Sequence, residues 1–228
     1  MRSPGPKAVV LLSGGLDSTA ALAWAAARGM RCTALAVRYG QRHAKELSHA
    51  RAVARDFGVS FREVRLDLPW LKSSALVDRS RSLPDLPLSK IGRGPIPSTY
   101  VPGRNTLFLS LAVSLADAEG AAAIVLGPNA LDYSGYPDCR PEYYRAFVRA
   151  ANLGTRSGSE GRGLAIHTPL IRMTKAQIVR LACRLKAPLH LTWSCYAGGR
   201  RPCGRCDSCK LRAKGFREAG LRDPALPR

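Results

Sequence analysis

The sequence predicts an α/β fold, a doubly wound and mainly parallel five-stranded sheet with a small cysteine-bearing region at its C-terminal end. Three observations carry that expectation. Short runs rich in Val, Ala and Leu recur along the chain, helical patterns separate them, and a Ser-Gly-Gly turn follows the first run. Strand–helix alternation of this kind is the signature of crossover connections between parallel strands.

The first strand is expected at Ala8–Leu12, apolar throughout, as a strand covered on both faces should be. An Ala-rich helix follows over Asp17–Arg28, and a second strand over Cys32–Val37. The next helix, Ala44–Phe57, stops at Gly58 and leads to a strand at Phe61–Leu66. Leu68 to Pro102 breaks the rhythm, carrying Pro69, Pro84, Pro87, Pro95 and Pro97 without a clear period. A loop that long in a compact domain is usually functional or mobile. A helix at Thr106–Ala118, with Asn105 as its cap, then leads to a strand at Ala122–Leu126. A helix at Pro141–Ala151 follows, then a Gly- and Ser-rich flap, Gly154–Gly163, and the last strand, Leu164–His167. A final helix, Lys175–Leu185, opens on a Thr174/Gln177 capping box and ends before Pro188. Residues 1–187 thus form the expected main domain, and 188–228 an appendage packed on it.

At 228 residues and 46% hydrophobic content the chain can bury a substantial core. No apolar run reaches the roughly 20 residues of a membrane helix. The opening residues lack a signal-peptide core, so a cytoplasmic protein without a membrane partner is expected. In a reducing compartment cysteines favour metal ligation over disulfides. Lys and Arg total 36 against 16 Asp and Glu, a formal net charge of +20. That charge attracts polyanions, but it is spread along the whole chain and by itself implies no obligate nucleic acid.

Ser13-Gly14-Gly15-Leu16-Asp17-Ser18-Thr19 links the first strand to its helix. Glycines let backbone N–H groups approach an anion, and the helix start adds free donors and partial positive charge. Neither the Walker ending nor the dinucleotide Gly-x-Gly-x-x-Gly is present. The run is otherwise a tight turn with Asp17 or Ser18 capping a helix. Its place at the carboxyl end of the first parallel strand, where such sheets bind ligands, favours a phosphate site. The expected nucleotide-binding segment comprises Leu12, Ser13, Gly14, Gly15, Leu16, Asp17, Ser18, Thr19, Ala20, Ala21 and Leu22. Lys175 opposes the dipole of its own helix, which a nearby polyphosphate would rationalise. Asp17, Ser18 and Lys175 form the expected catalytic set.

Cys195, Cys203, Cys206 and Cys209 form a C-x7-C-x2-C-x2-C series. Four thiolates close a tetrahedral Zn²⁺ shell and leave no position for water, so a structural site is expected. An iron–sulfur cluster is the alternative.

The phosphate run resembles the signature of the N-type ATP pyrophosphatases. Tyr39-Gly40-Gln41-Arg42-His43, Tyr100-Val101-Pro102-Gly103-Arg104-Asn105, the Asp132–Arg140 segment and Leu191-Thr192-Trp193-Ser194-Cys195-Tyr196 resemble the 7-cyano-7-deazaguanine synthases. The resemblance runs from about Ala8 to Gly220. It implies an adenine nucleotide alpha hydrolase-like fold and a homodimer with one cysteine-bound zinc per chain. It also implies a ligase that uses ATP, with Mg²⁺, to join ammonia to 7-carboxy-7-deazaguanine. Under it, Arg104, Asp132, Tyr133, Tyr136 and Asp138 are the expected substrate-binding residues. His43 and His167 are further acid–base candidates. Arg38 and Pro128 depart from the family pattern. A tRNA-modifying pyrophosphatase and a specialised deazapurine enzyme remain the rival readings, with a non-enzymatic zinc-ribbon module behind them.

Overall fold

The computed structural model describes residues 5–42, 45–130 and 135–226. Its sheet has five strands, β1 (Lys7–Leu11), β2 (Arg31–Arg38), β3 (Ser60–Arg65), β4 (Ala123–Val125) and β5 (Ala165–His167), in the order β3-β2-β1-β4-β5. Every pairing is parallel. The expected strands fall within a residue of these at each end.

The α-helices are α1 (Leu16–Ala26), α2 (Lys45–Asp56), α3 (Arg104–Glu119), α4 (Pro141–Leu153), the short α5 (Arg156–Ser159), α6 (Lys175–Arg184) and α7 (Asp207–Ala219), with short 3-10 helices at Pro69–Ser73, Pro137–Cys139 and Leu189–Leu191. Successive side chains of a strand point to opposite faces. Ala8, Val10 and Leu12 accordingly pack with α1, α2, α6 and Phe216 of α7. Val9, Leu35 and Ile124 pack instead with α3 and with Tyr144 of α4. Both faces are covered at the centre of the sheet, which is why β1 and β4 are dominated by buried apolar residues, whereas the edge strand β3, SFREVR, is polar and largely exposed.

The winding runs β1-α1-β2-α2-β3 outward, then α3 returns the chain across the opposite face to β4, beside β1. The carboxyl ends of β1 and β4 therefore flank the point where strand order reverses, and ligands bind at such a crevice. No helix among the described residues is long and apolar enough to cross a membrane.

Three local expectations are corrected. Gly15, not Asp17 or Ser18, is the N-cap of α1, and it has no side-chain bond. Asn105 does not cap α3; Gly103 does, in the left-handed region, and Asn105 lies in the first turn. The Asp138 carboxylate supplies the missing acceptor, taking the Asn105 amide at 2.9 Å. The segment expected as a flap holds α5, whose start donates from Arg156 N and Ser157 N to the Asp117 carboxylate.

Helix α7 was not expected. Its anchor is Arg212, whose guanidinium donates to both Asp223 oxygens at 2.6 and 2.8 Å, to Thr192 Oγ1 at 2.8 Å and to Ser194 Oγ at 3.1 Å. Arg212 and Asp223 side chains retain only 10% and 5% exposure. Removing one member of a buried pair leaves the other charge uncompensated. Arg212→Ala is therefore expected to lower stability by about 3–5 kcal/mol. A urea titration showing an unchanged midpoint would refute this.

Candidate active site and metal centre

The phosphate loop is braced from within. Ser13 N and Gly15 N donate to Ser18 Oγ and Ser13 Oγ at 3.2 and 3.3 Å, while Ser18 Oγ donates to the Gly15 carbonyl at 3.1 Å. The serine hydroxyls thus shape the turn, and the amides at the start of α1 are left without intrahelical acceptors. Gly14 has φ +82°, and a Cβ there would lie 2.4 Å from the Glu46 carbonyl and 2.5 Å from Ala50 N. Only glycine fits, because the turn is pressed against α2. On the other side a Cβ on Gly127, just after β4, would lie 2.8 Å from the Asp17 carbonyl. The loop is clamped between β4 and α2.

Asp17 Oδ2 accepts from Lys175 Nζ at 2.5 Å and from Asn129 Nδ2 at 3.1 Å. Asp17 Oδ1 is buried without a partner. A buried carboxylate oxygen left unpaired is costly, so it marks a place for a cation or a donor. Lys175 begins α6 behind a complete Thr174–Gln177 capping box. Its stem lies where a Cβ on Gly215 would fall, 2.4 Å from Lys175 Cγ, so the glycine lets α7 close over it.

These groups line a cleft of about 290 Å³ together with Tyr39, Glu46, Arg104, Phe108, Cys139, Trp193 and Arg212. Its volume is at the lower edge of the roughly 300–1,000 Å³ of small-molecule sites. Burial disfavours the Arg104 charge, but Tyr39, Cys139 and Tyr136 around it hold its pKa above the ordinary value. Burial also pushes the Tyr39 phenol up, and the Arg104 hydrogen bond offsets only part of that.

Of the expected nucleotide-binding residues, Leu12, Ser13, Gly15, Leu16, Asp17 and Ser18 line the cleft. Gly14 lies beneath them. Thr19, Ala20, Ala21 and Leu22 are fully buried, the last three in the core against the sheet. Among the expected substrate residues Arg104 lines the cleft. Asp138 is turned onto the start of α3. Tyr136 hydrogen-bonds Thr99 Oγ1 at 2.9 Å and stacks on Tyr100. Asp132, Tyr133 and His43 lie outside the described residues. His167 packs on Trp24, with its pKa lowered by burial and by Arg28, and does not line the cleft. Sequence reasoning missed Gly127, Asn129, Glu46 and Arg212. Gly127 and Asn129 follow the fourth strand directly, a position that could have singled them out.

The four cysteines come together with their sulfurs within 4.8 Å of one another. Cys203 N and Cys206 N donate to the Sγ atoms of Cys195 and Cys203, each at 3.3 Å. Hydrogen bonds from Cys206 and Cys209 hold the Cys195 thiol well below its ordinary range. Donation to Cys195 pushes Cys206 up to about 11 and raises Cys209 as well. Sulfurs that share protons so closely form a donor set suited to a metal ion, which would replace those protons.

Trp193 joins the two centres. Its amide donates to the Gly14 carbonyl at 2.9 Å and its indole N–H to the Cys195 carbonyl at 2.9 Å. The Lys45 ammonium sits 4.2 Å from its ring centroid, and His49 stacks at 5.5 Å. Lys210 Nζ also donates to the Leu86 carbonyl at 2.7 Å, so the long proline-rich loop packs against α7.

A parallel sheet in this order, with a Ser-Gly-Gly-x-Asp-Ser loop clamped at its switch point, defines a PP-loop, ATP pyrophosphatase-type fold. NMN synthetase from Francisella tularensis shares the fold, with a TM-score of 0.50 at 17% identity over 96% of this chain and 79% of that one. Residues 7–220 match the family described as queuosine biosynthesis protein QueC. Among similar proteins, the 7-cyano-7-deazaguanine synthase of Myxococcus xanthus is 54% identical over 222 residues, 96% of each chain. That of Acinetobacter baylyi is 51% identical over 221 residues, 96% of this chain and 94% of that one. The chain belongs to the QueC family.

Proposed function

We propose that this chain is an ATP-dependent ligase that converts 7-carboxy-7-deazaguanine and ammonia into 7-cyano-7-deazaguanine. Family membership supports the reaction, and one observation supports the site: Asp17 and Lys175 meet at the phosphate loop, with Asp17 Oδ1 still lacking a partner.

A carboxylate resists ammonia until one of its oxygens becomes a leaving group. Attack of that oxygen on the α-phosphorus of ATP releases pyrophosphate and leaves an acyl adenylate. Ammonia then displaces AMP to give an amide. Activation of the amide oxygen by the same route permits its loss and leaves the nitrile. In this reading the amides of the loop hold the pyrophosphate, aided by Lys175. Arg104 orients the substrate carboxylate or the pyrophosphate. Asp17 would hold Mg²⁺, which supplies charge neutralisation for the departing phosphates. Asp132 is the proposed acceptor for the deazaguanine edge, with Tyr133 stacking on the ring or walling the pocket.

Zinc is the metal proposed for the four cysteines, in a structural role, since four thiolates close its shell. The enzyme is proposed to work in the cytoplasm as a homodimer on free small molecules.

The test is incubation with 7-carboxy-7-deazaguanine, ammonium and Mg-ATP, with mass analysis of the product. The nitrile is expected; an unchanged acid would overturn the reading. Added tRNA is expected neither to be modified nor to alter turnover, although the +20 charge will produce salt-sensitive binding. Stoichiometric modification of tRNA would instead establish the tRNA-modifying rival.

A further inference from the structure

We propose that Asn129 is a positioning residue for the cation that accompanies the nucleotide: its side-chain amide commits one oxygen of Asp17 and so presents the other to a divalent ion. The inference rests on the ligase reading, in which Asp17 holds Mg²⁺. It concerns how that carboxylate is aimed, and it gives a role to a residue the reading leaves idle.

Both residues line the cleft. Asp17 Oδ2 accepts from Lys175 Nζ at 2.5 Å and from Asn129 Nδ2 at 3.1 Å, while Oδ1 is buried with no partner among the described residues. Lysine alone would not produce that asymmetry. Its ammonium is a compact charge on a flexible stem with three rotatable donors, and it can serve either carboxylate oxygen or both. A second donor on the same oxygen removes the choice. Because a carboxylate only accepts, the NH₂ end of the Asn129 amide has to face it. Asparagine also brings no charge. A second lysine or arginine there would make the site net positive and repel a divalent ion.

The segment that carries Asn129 is tied down next to both members of the Asp17–Lys175 pair. Leu126 N donates to the His167 carbonyl at 3.1 Å, and a Cβ on Gly127 would lie 2.8 Å from the Asp17 carbonyl, so the chain runs hard against the start of α1. Pro128 fixes its own φ. Ala130 N then donates at 3.3 Å to the carbonyl of Met173, shortly before Lys175. Asn129 itself keeps only 3% exposure, so its amide has little freedom to leave Asp17. Hydrogen bonds to a metal-ligating carboxylate orient it, and losing such a partner costs about 10–100-fold in metal affinity or activity.

The experiment compares wild type with Asn129→Leu, which keeps the shape and removes the donor, with Asn129→Ala, and with Asn129→Ser, which keeps a shorter donor. A thermal melt first establishes which variants are folded. Mn²⁺ binding to the protein–ATP complex is then titrated by electron paramagnetic resonance, and nitrile formation is followed across a Mg²⁺ series. Asn129→Leu and Asn129→Ala are expected to bind Mn²⁺ about tenfold more weakly and to need about tenfold more Mg²⁺ for half-maximal turnover. Saturating Mg²⁺ should recover most of the lost turnover, and the KM for 7-carboxy-7-deazaguanine should stay near its wild-type value. Asn129→Ser should shift less than Asn129→Ala. Wild-type Mn²⁺ affinity in the folded variants, or a loss of turnover that Mg²⁺ does not restore, would overturn the inference. Wild-type Mn²⁺ affinity in Asp17→Asn as well would trace that failure to the proposed seat of the ion. A wild type that binds Mn²⁺ with ATP yet makes no nitrile would overturn the ligase reading itself.

Discussion

Asp17→Ala is expected to reduce nitrile formation by about a thousandfold or more while the protein stays folded, because it removes preorganised electrostatics from the reacting centre. One oxygen of Asp17 holds Lys175 and Asn129, and the other is buried with no partner. Its loss therefore frees the lysine from the phosphate loop and deletes the proposed seat for Mg²⁺. Asp17→Asn is the sharper variant, since it keeps the shape and removes the charge. It should bind nucleotide weakly and show little dependence on Mg²⁺ concentration. Ser18→Ala should also be severely impaired, for a different reason: its hydroxyl braces the turn through Ser13 N and the Gly15 carbonyl. Steady-state assays with a thermal melt decide the matter. Normal turnover by both alanine variants would remove the pyrophosphatase assignment.

Replacing Cys195, Cys203, Cys206 or Cys209 with serine is expected to strip the metal and to destabilise residues 195–219 before the rest. Structural zinc contributes roughly 10 kcal/mol or more of apparent binding free energy in small zinc-binding peptides, and that free energy is folding free energy. The effect should not remain local. Trp193 carries it inward, because its indole holds the Cys195 carbonyl while its amide holds Gly14. Hydrogen exchange should therefore speed up first around the cysteines, then at the phosphate loop, with ATP affinity falling in step. Elemental analysis and X-ray absorption should find one zinc per chain with four sulfur neighbours. A nitrogen or oxygen neighbour that exchanges with substrate would sink the structural role.

The sequence by itself determined the layers, the strand positions, the phosphate loop and the cysteine series. Each is written in residues close together in the chain, where period, glycine placement and ligand spacing can be read directly. It did not disclose α7, whose run DSCKLRAKGFREA mixes charged residues with few large apolar ones. That helix is held by an arginine buried with Asp223 and by Phe216, not by an apolar stripe.

Nor did it disclose that Asp17 pairs with Lys175, 158 residues away, or that Asp138 serves the start of α3. Gly14, Gly127 and Gly215 are set by the backbone or side chain opposite them, which is known only once α2, α1 and α6 are in place. Contacts between distant segments leave no periodicity in the chain. The loop's character was local and legible; the partners that make it a site were chosen by the way the sheet brings β1, β4, α2 and α6 to one edge.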